Sequence, residues 1–131
     1  MSVKIMRIDD APVKTGGNLD SDRGKTFRLV DEEDGARNVD VHINLLNPGS
    51  GLGPTHYHQR AENVYIVLEG VVEVVIDGKT HRLQAGEMAF IPPGVPHAAG
   101  NGGAVPARFI EIYAPAGRDY HLYEPARETS D

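Results

Sequence analysis

Short runs of β-branched and aromatic residues recur along the whole chain, and this pattern limits the fold more than any other feature of the sequence. Residues 64–68 and 71–76 are the most β-prone of these runs. Asp77-Gly78, directly after them, fits a two-residue hairpin turn, because aspartate and glycine tolerate the positive φ that a type I′ turn needs. Many short strands separated by turns are typical of a sandwich or barrel. The sequence therefore predicts an all-β fold.

The rest of the chain has the same character. Further strands are predicted at residues 3–8, 26–30, 39–46, 80–83, 88–91 and 109–113. The 15 glycines and 9 prolines suit tight turns, and no segment has a convincing amphipathic helical pattern. A chain of 131 residues fits one domain. We expect a single domain over residues 1–131, with a β core at about 26–115, an N-terminal strand or arm at 1–25 and a C-terminal tail at about 116–131. The last dozen residues of this tail are polar and are expected to lie loosely on the surface or fray.

Charge and composition limit the partners and the compartment. The formal net charge of −6 argues against binding to nucleic-acid phosphates. No apolar run is long enough to span a bilayer, and the amino terminus lacks the apolar core of a secretion signal. The absence of cysteine excludes disulfides and thiolate ligands. We therefore expect a cytoplasmic protein whose partner is a small molecule and not nucleic acid or a membrane.

Three histidines form a candidate metal site. In an extended segment His56 and His58 point to the same face, because side chains alternate along a strand. His97 follows a rigid Pro92-Pro93-Gly94 turn and supplies a third imidazole. Three neutral imidazoles suit Zn, Mn, Fe, Ni or Cu better than Mg or Ca. We expect one divalent transition metal, with His81 and His121 on the surface.

The chain resembles the cupin superfamily through a motif around His97. The second cupin motif is Gly, five residues, Pro-x-Gly, two residues, His, three residues, Asn. Gly86, Pro92-Pro93-Gly94, His97 and Asn101 match it at every spacing. The resemblance implies a single cupin barrel, that is, a double-stranded β-helix or jelly roll of short antiparallel strands, with His56, His58 and His97 as metal ligands.

The fourth cupin ligand has two candidates. The first cupin motif places a glutamate three or four residues after the His-x-His pair and six residues before a glycine. Glu62 fits the gap from His58 but lies one residue too far from Gly70, whereas Asn63 fits both gaps but is not a glutamate. Adjacent strand residues face opposite sides, so only one can point inward. We favour Asn63, which can bind the metal directly or through water, with Glu62 as the alternative.

Other side chains are candidates for the interior of the barrel. Tyr65 has the same parity as Asn63 and is expected to line the cavity. Glu111 and Tyr113 alternate with isoleucines; facing inward they are candidates for acid/base or substrate hydrogen bonding, and facing outward they belong to a sheet surface or dimer contact. His42 and Asn44 could face either way.

The function implied by the resemblance depends on the fourth ligand. With neutral Asn63, no carboxylate offsets the charge of the ion, which favours an anionic or oxygen-rich metabolite and Lewis-acid chemistry of the isomerase, lyase or ring-opening type. With Glu62, the site resembles that of metal-dependent dioxygenase cupins. A third hypothesis is a non-catalytic module that binds a small molecule. Cupins are commonly dimers, and the predicted strand at residues 3–8 is expected to add to a sheet edge, either its own or that of a neighbouring subunit.

Overall fold

Two antiparallel β-sheets make up the protein in the computed structural model, which describes residues 2–14 and 22–124. The strands are β1 (Gly24–Val30), β2 (Asp40–Leu46), β3 (Gly51–Leu52), β4 (His56–Tyr57), β5 (Glu62–Glu69), β6 (Val71–Ile76), β7 (Lys79–Gln84), β8 (Met88–Ile91), β9 (His97–Asn101), β10 (Ala107–Ala114) and β11 (His121–Leu122). Two short 3-10 helices span Ile8–Asp10 and Glu32–Asp34.

The strand order is that of a jelly-roll barrel. One sheet has the order β1-β2-β10-β5-β8, and the other has the order β11-β4-β9-β6-β7 with β3 paired to β9. Consecutive strands β5 and β6 lie in different sheets, so the chain crosses from one sheet to the other at Gly70 between them. The predicted all-β jelly-roll fold is confirmed.

Alternation along the strands divides each sheet into an inner and an outer face. Residues 63, 65 and 67 of β5 and the odd-numbered residues of β10 are buried, as a strand with one face on the core requires. The inner faces form the larger core cluster, which consists of Leu46, Tyr65, Val67, Val72, Val74, Ile91, Ala107 and Phe109. This packed cluster fills part of the barrel, and the polar inward residues of the same strands surround the remaining space.

The segment before β1 covers part of the outer face of the five-stranded sheet. Ala11 packs there with Leu29 and Ile43, and Met6 joins the edge of this second cluster. Hydrogen bonds from the Lys14 N–H to the Thr26 carbonyl (2.8 Å) and from the Arg28 N–H to the Pro12 carbonyl (2.9 Å) attach residues 12–14 to β1.

The predicted strand at residues 3–8 is wrong. Residues 3–7 belong to no strand of the described chain, and Ile8–Asp10 is a 3-10 helix. The apolar alternation of this segment fits a strand, but the β1 edge that it could join is occupied by residues 12–14. Strand β9 was not predicted, because its alanines and glycine carry little β-propensity. Among the described residues, no helix is long and apolar enough to cross a membrane.

Candidate metal centre and its cavity

Two neighbouring strands bring the three histidines together. His56 on β4 is the direct cross-strand partner of His97 on β9, and His58 follows two residues after His56. One ring nitrogen from each of His56, His58 and His97 lies within 4.8 Å of the others, so the cluster has the geometry to hold a metal ion.

Two turns of the cupin motif, each with a glycine, lead the chain to His97. Gly86 and Gly94 have φ angles of 86° and 84°, in the left-handed region where glycine is favoured. The N–H of Gly94 donates to the carbonyl oxygen of His58 at 2.7 Å. The turn that precedes one histidine is therefore hydrogen-bonded to the backbone of another.

Each imidazole is oriented by a backbone carbonyl on the side away from the cluster. The Nδ1 atoms of His56, His58 and His97 lie 2.9, 2.5 and 2.9 Å from the carbonyl oxygens of Pro54, Asp119 and Val95. A carbonyl accepts only from a protonated nitrogen, so each ring carries its proton on Nδ1 and leaves Nε2 as the free lone pair. This arrangement is common behind metal-bound histidines, because it fixes the tautomer and the ring orientation.

The three rings are held in the neutral form that binds metals. Burial, which disfavours the charged form, lowers the pKa of His56 to about 4, with the neighbouring imidazoles adding to the shift. Burial also lowers the pKa of His58 and of His97. All three Nε2 lone pairs are therefore available at neutral pH.

Asn63 lies inside the barrel beside the histidines, whereas Glu62 is exposed on the outside. The Asn63 side chain is fully buried, and its Nδ2 lies 3.5 Å from Nε2 of His97. Among the described residues, Oδ1 of Asn63 and Nε2 of His58 are buried without a hydrogen-bond partner. Buried polar atoms normally have a partner, so an unpartnered nitrogen in the histidine cluster and an unpartnered oxygen on the residue beside it fit a bound cation. The residues present fit a divalent metal with His56, His58 and His97 as nitrogen ligands and Asn63 as an oxygen ligand.

A buried carboxylate stands directly behind Asn63. Glu111 accepts hydrogen bonds from Asn63 Nδ2 (3.1 Å), Asn44 Nδ2 (2.6 Å), His42 Nε2 (2.9 Å) and the Tyr113 hydroxyl (2.5 Å). Burial alone would raise the pKa of Glu111, but the hydrogen bonds and the charge of His42 outweigh it and hold the pKa well below its usual range. With Asn63 in the fourth position, we expected no carboxylate to offset the charge of the metal ion. Glu111 lies directly behind Asn63 and corrects that expectation.

His42 is the cationic partner of this carboxylate. Its Nδ1 lies 3.3 Å from Oδ1 of Asp40, opposite the contact with Glu111. Burial lowers the pKa of His42, and the hydrogen bonds and charges of Asp40 and Glu111 raise it by more. Asp40, His42 and Glu111 thus form a buried carboxylate–imidazolium–carboxylate row.

His56 of the histidine cluster lines a cavity of about 260 Å³. The cavity is also lined by the candidate residues of the barrel interior, namely Tyr65, Glu111, Tyr113, His42 and Asn44. Of the two orientations considered for these side chains, the structure has the inward one. Burial and the charge of Glu111 raise the pKa of Tyr65 and of Tyr113 well above the usual value for tyrosine. Both hydroxyls therefore keep their protons and can serve as hydrogen-bond donors.

The C-terminal segment contributes residues that the sequence did not reveal. Arg118 and Tyr120 line the cavity, and the Tyr120 ring stacks on His56 at 4.6 Å between centroids. Asp119 accepts the N–H groups of Gln59 and Arg60 through its carboxylate at 2.6 and 3.1 Å. The expectation that the last dozen residues lie loosely is therefore wrong for residues 120–122, and residues 125–131 lie outside the described part. The cupin motifs do not extend to this segment. The only hint of a functional role in the sequence was the run of polar and aromatic residues Arg118-Asp119-Tyr120-His121.

His81 and His121 lie outside the cluster. His81 is exposed on β7. His121 is partly exposed; its Nε2 contacts the Asp119 carboxylate at 2.9 Å and its ring stacks on Tyr57.

Comparison with known proteins agrees with the geometry. A family model described as Cupin domain matches residues 43–113, more than half of the chain. The chain belongs to the cupin family. This cupin is 26% identical to the polyketide cyclase RemF from Streptomyces resistomycificus, with a TM-score of 0.80 over 95% of this chain and 88% of that one.

Curated relatives contain the cupin as a part of longer proteins. Over 67 residues, 51% of this chain and 14% of the relative, it is 37% identical to a mannose-1-phosphate guanylyltransferase of Escherichia coli (strain K12). Over 93 residues, 71% of this chain and 50% of the relative, it is 30% identical to the HTH-type transcriptional regulator PuuR of the same strain. The chain thus spans only half, or much less, of these relatives.

Proposed function

We propose that this cupin is a divalent-metal-dependent enzyme that acts on a small, oxygen-rich or anionic metabolite by isomerase, lyase or ring-opening and ring-closing chemistry. The observation that carries the proposal is the cluster of three neutral imidazoles, one of which lines a cavity, beside the buried Asn63 with its unpartnered oxygen. When bound, the ion would supply Lewis acidity toward a substrate oxygen.

The tyrosines and Glu111 have separate roles in this proposal. Tyr65 stays protonated, so its hydroxyl can donate a hydrogen bond to a substrate oxygen that gains negative charge. Tyr113 also stays protonated and donates its one proton to Glu111. Glu111 stays anionic and is a weak base, because four donors stabilise its charge. Its role is to hold the Asn63 amide by Nδ2, so that the Asn63 oxygen is the atom left for the metal.

The size of the cavity and the similarity to RemF limit the range of possible substrates. A volume of about 260 Å³ lies just below the usual range of roughly 300–1,000 Å³ for ligand pockets, which favours a small metabolite. The 26% identity to a polyketide cyclase supports a carbonyl compound and ring chemistry within the proposed class.

Two other functions remain as alternatives. Dioxygenase chemistry was linked to Glu62 as a ligand, and the exposure of that side chain on the outer face argues against it. A non-catalytic ligand-binding role is favoured by the match to half of the regulator PuuR.

The test is metal analysis of the purified protein, followed by a turnover screen of sugar acids, diketones and phenolic compounds under air and under nitrogen. We expect a stoichiometric divalent ion and turnover that a chelator abolishes, that the metal restores and that nitrogen leaves unchanged. Turnover only under air would indicate the dioxygenase. Tight binding of a compound without turnover would indicate the binding module, and a protein without metal would contradict the proposal.

A further inference from the structure

The outer part of the cavity wall is cationic. Lys14, Arg23 and Arg118 line the cavity as half-exposed side chains, whereas Glu111 lies buried at its inner end. The chain as a whole has a net charge of −6, so three cations around one cavity run against the average charge of the molecule. Such a cluster raises the local concentration of anions.

Two of the three cations have acceptors within the protein. The Lys14 ammonium lies 3.7 Å from Oδ2 of Asp31. Arg23 donates from Nη2 to the carbonyl oxygens of Ala99 (2.9 Å) and Gly51 (3.3 Å). These contacts hold Lys14 and Arg23 in place and use part of their donor capacity.

Arg118 differs from both. Within residues 2–14 and 22–124 its guanidinium makes no hydrogen bond and no ion pair. Its contacts are with aromatic faces, since Cζ lies 5.1 Å from the Tyr113 ring centroid and 5.2 Å from that of Tyr120. Rings that cover the face of a guanidinium leave its N–H edge available to a partner in the same plane.

The two rings also fix the position of Arg118 relative to the histidine cluster. Tyr120 stacks on His56, and the Tyr113 ring meets His58 edge-on at 5.0 Å between centroids. Arg118 is therefore separated by a single ring from two of the three histidines. A ligand of a few carbons can reach from this guanidinium to the cluster.

We propose that Arg118 is the anion-binding residue of the cavity and that it binds the carboxylate of a small oxo or hydroxy acid whose other oxygen lies at the histidine cluster. This inference rests on the proposed function, because it supposes that the ligand occupies the cavity beside the metal site. A guanidinium edge matches a carboxylate with two parallel N–H···O bonds, and Lys14 and Arg23 add long-range attraction. Phosphate shares this chemistry, but the planar edge and the small cavity favour a carboxylate.

The test measures binding by calorimetry in metal-loaded protein of known metal content. The probes are pyruvate, 4-oxopentanoate and 6-oxoheptanoate, each with its uncharged amide, and inorganic phosphate. The variants are Arg118→Gln, Arg118→Lys and the control Arg82→Gln, whose side chain is 76% exposed on β7.

We expect at least one acid to bind more tightly than its amide and than phosphate. Arg118→Gln should weaken the binding of that acid by roughly tenfold or more, because the charge-assisted pair is lost. The affinity for the amide and the metal content of the protein should stay unchanged. Arg118→Lys should bind the acid with an affinity between those of the wild type and Arg118→Gln. The control Arg82→Gln should bind the acid as tightly as the wild type. Equal binding of acids and amides, tighter binding of phosphate, or an unchanged acid affinity in Arg118→Gln would overturn the inference. Loss of the metal from the wild-type protein would instead overturn the proposed function.

Discussion

Each candidate ligand of the metal centre is oriented by a hydrogen bond on the side of the residue that faces away from the centre. Carbonyl oxygens fix Nδ1 of His56, His58 and His97, and Glu111 fixes the amide of Asn63. Ligands held in this way lose little rotamer entropy when they bind a metal, which stabilises the complex.

Replacing any one of His56, His58 and His97 by alanine is expected to remove most of the bound divalent metal. Each ring supplies one of few strong donors, so we expect affinity to fall by at least about a hundredfold, measured by elemental analysis after dialysis. His81→Ala and His121→Ala are the matched controls and should keep the metal. Stoichiometric metal in all three cluster variants would contradict the site.

Asn63 and Glu62 can be separated by single substitutions. Asn63→Ala should weaken metal binding by tenfold or more, whereas Glu62→Ala should be mild, because Glu62 points out of the barrel. Asn63→Glu should bind metal more tightly but turn over an anionic substrate more slowly, since a second carboxylate would stand beside Glu111 and lower the Lewis acidity of the ion. Metal lost in Glu62→Ala and retained in Asn63→Ala would reverse the assignment.

At the scale of elements, the C-terminal segment acts as a clamp on the loop between β4 and β5. Strand β11 pairs with β4, and just before it Asp119 contacts the same loop with both its carboxylate and its carbonyl. The His-x-His segment is thus held from β9 on one side and from β11 on the other. A short strand of two residues would not keep its geometry without these flanking contacts.

Asp119→Ala is expected to lower the free energy of unfolding by roughly 1–3 kcal/mol, because two backbone N–H groups lose a charged acceptor. Burial raises the pKa of Asp119, but the hydrogen bonds from Gln59 and Arg60 lower it by more, to about 2. A depressed pKa gives stability that is present above the unfolded value near 3.8 and is lost as the pH falls toward 2. The advantage of the wild type should therefore shrink across this range in chemical denaturation. Glu124→Ala, at an exposed position nearby, should show neither effect.

At the scale of the whole molecule, apolar surface remains on the segment before the barrel. Val3 and Ile5 are 88% and 92% exposed, and the edge strand β8 carries Met88 and Phe90 at 54% and 52%. Exposed apolar side chains invite association with another chain, and so does an edge strand such as β8.

We expect a homodimer in which residues 3–8 contact the neighbouring subunit. The double substitution of Val3 and Ile5 to serine should raise the dimer dissociation constant by at least about tenfold, since burial of such side chains contributes roughly 1.5–3 kcal/mol each. Light scattering over a micromolar concentration series measures this, with Val105→Ser as an equally apolar control on a loop. A wild-type protein that stays monomeric would refute the dimer.

The sequence alone determined the class of fold and the donor types of the site. Alternation and turn residues are local properties, so the strands around residues 71–76 and 88–91 were predicted with their observed bounds. The spacing of Gly86, Gly94 and His97 likewise encodes a local turn geometry that needs no distant contact.

Only the tertiary structure decided which residues surround that site. Glu111 and Asn63 lie on neighbouring strands far apart in sequence, and their hydrogen bond depends on strand register, which no local pattern fixes. Arg118 and Tyr120 come from a segment whose composition indicated only a polar tail, and they reach the cavity because β11 pairs with β4. Residue types and local spacing are written in the sequence, whereas the charge around the site is set by long-range strand pairing.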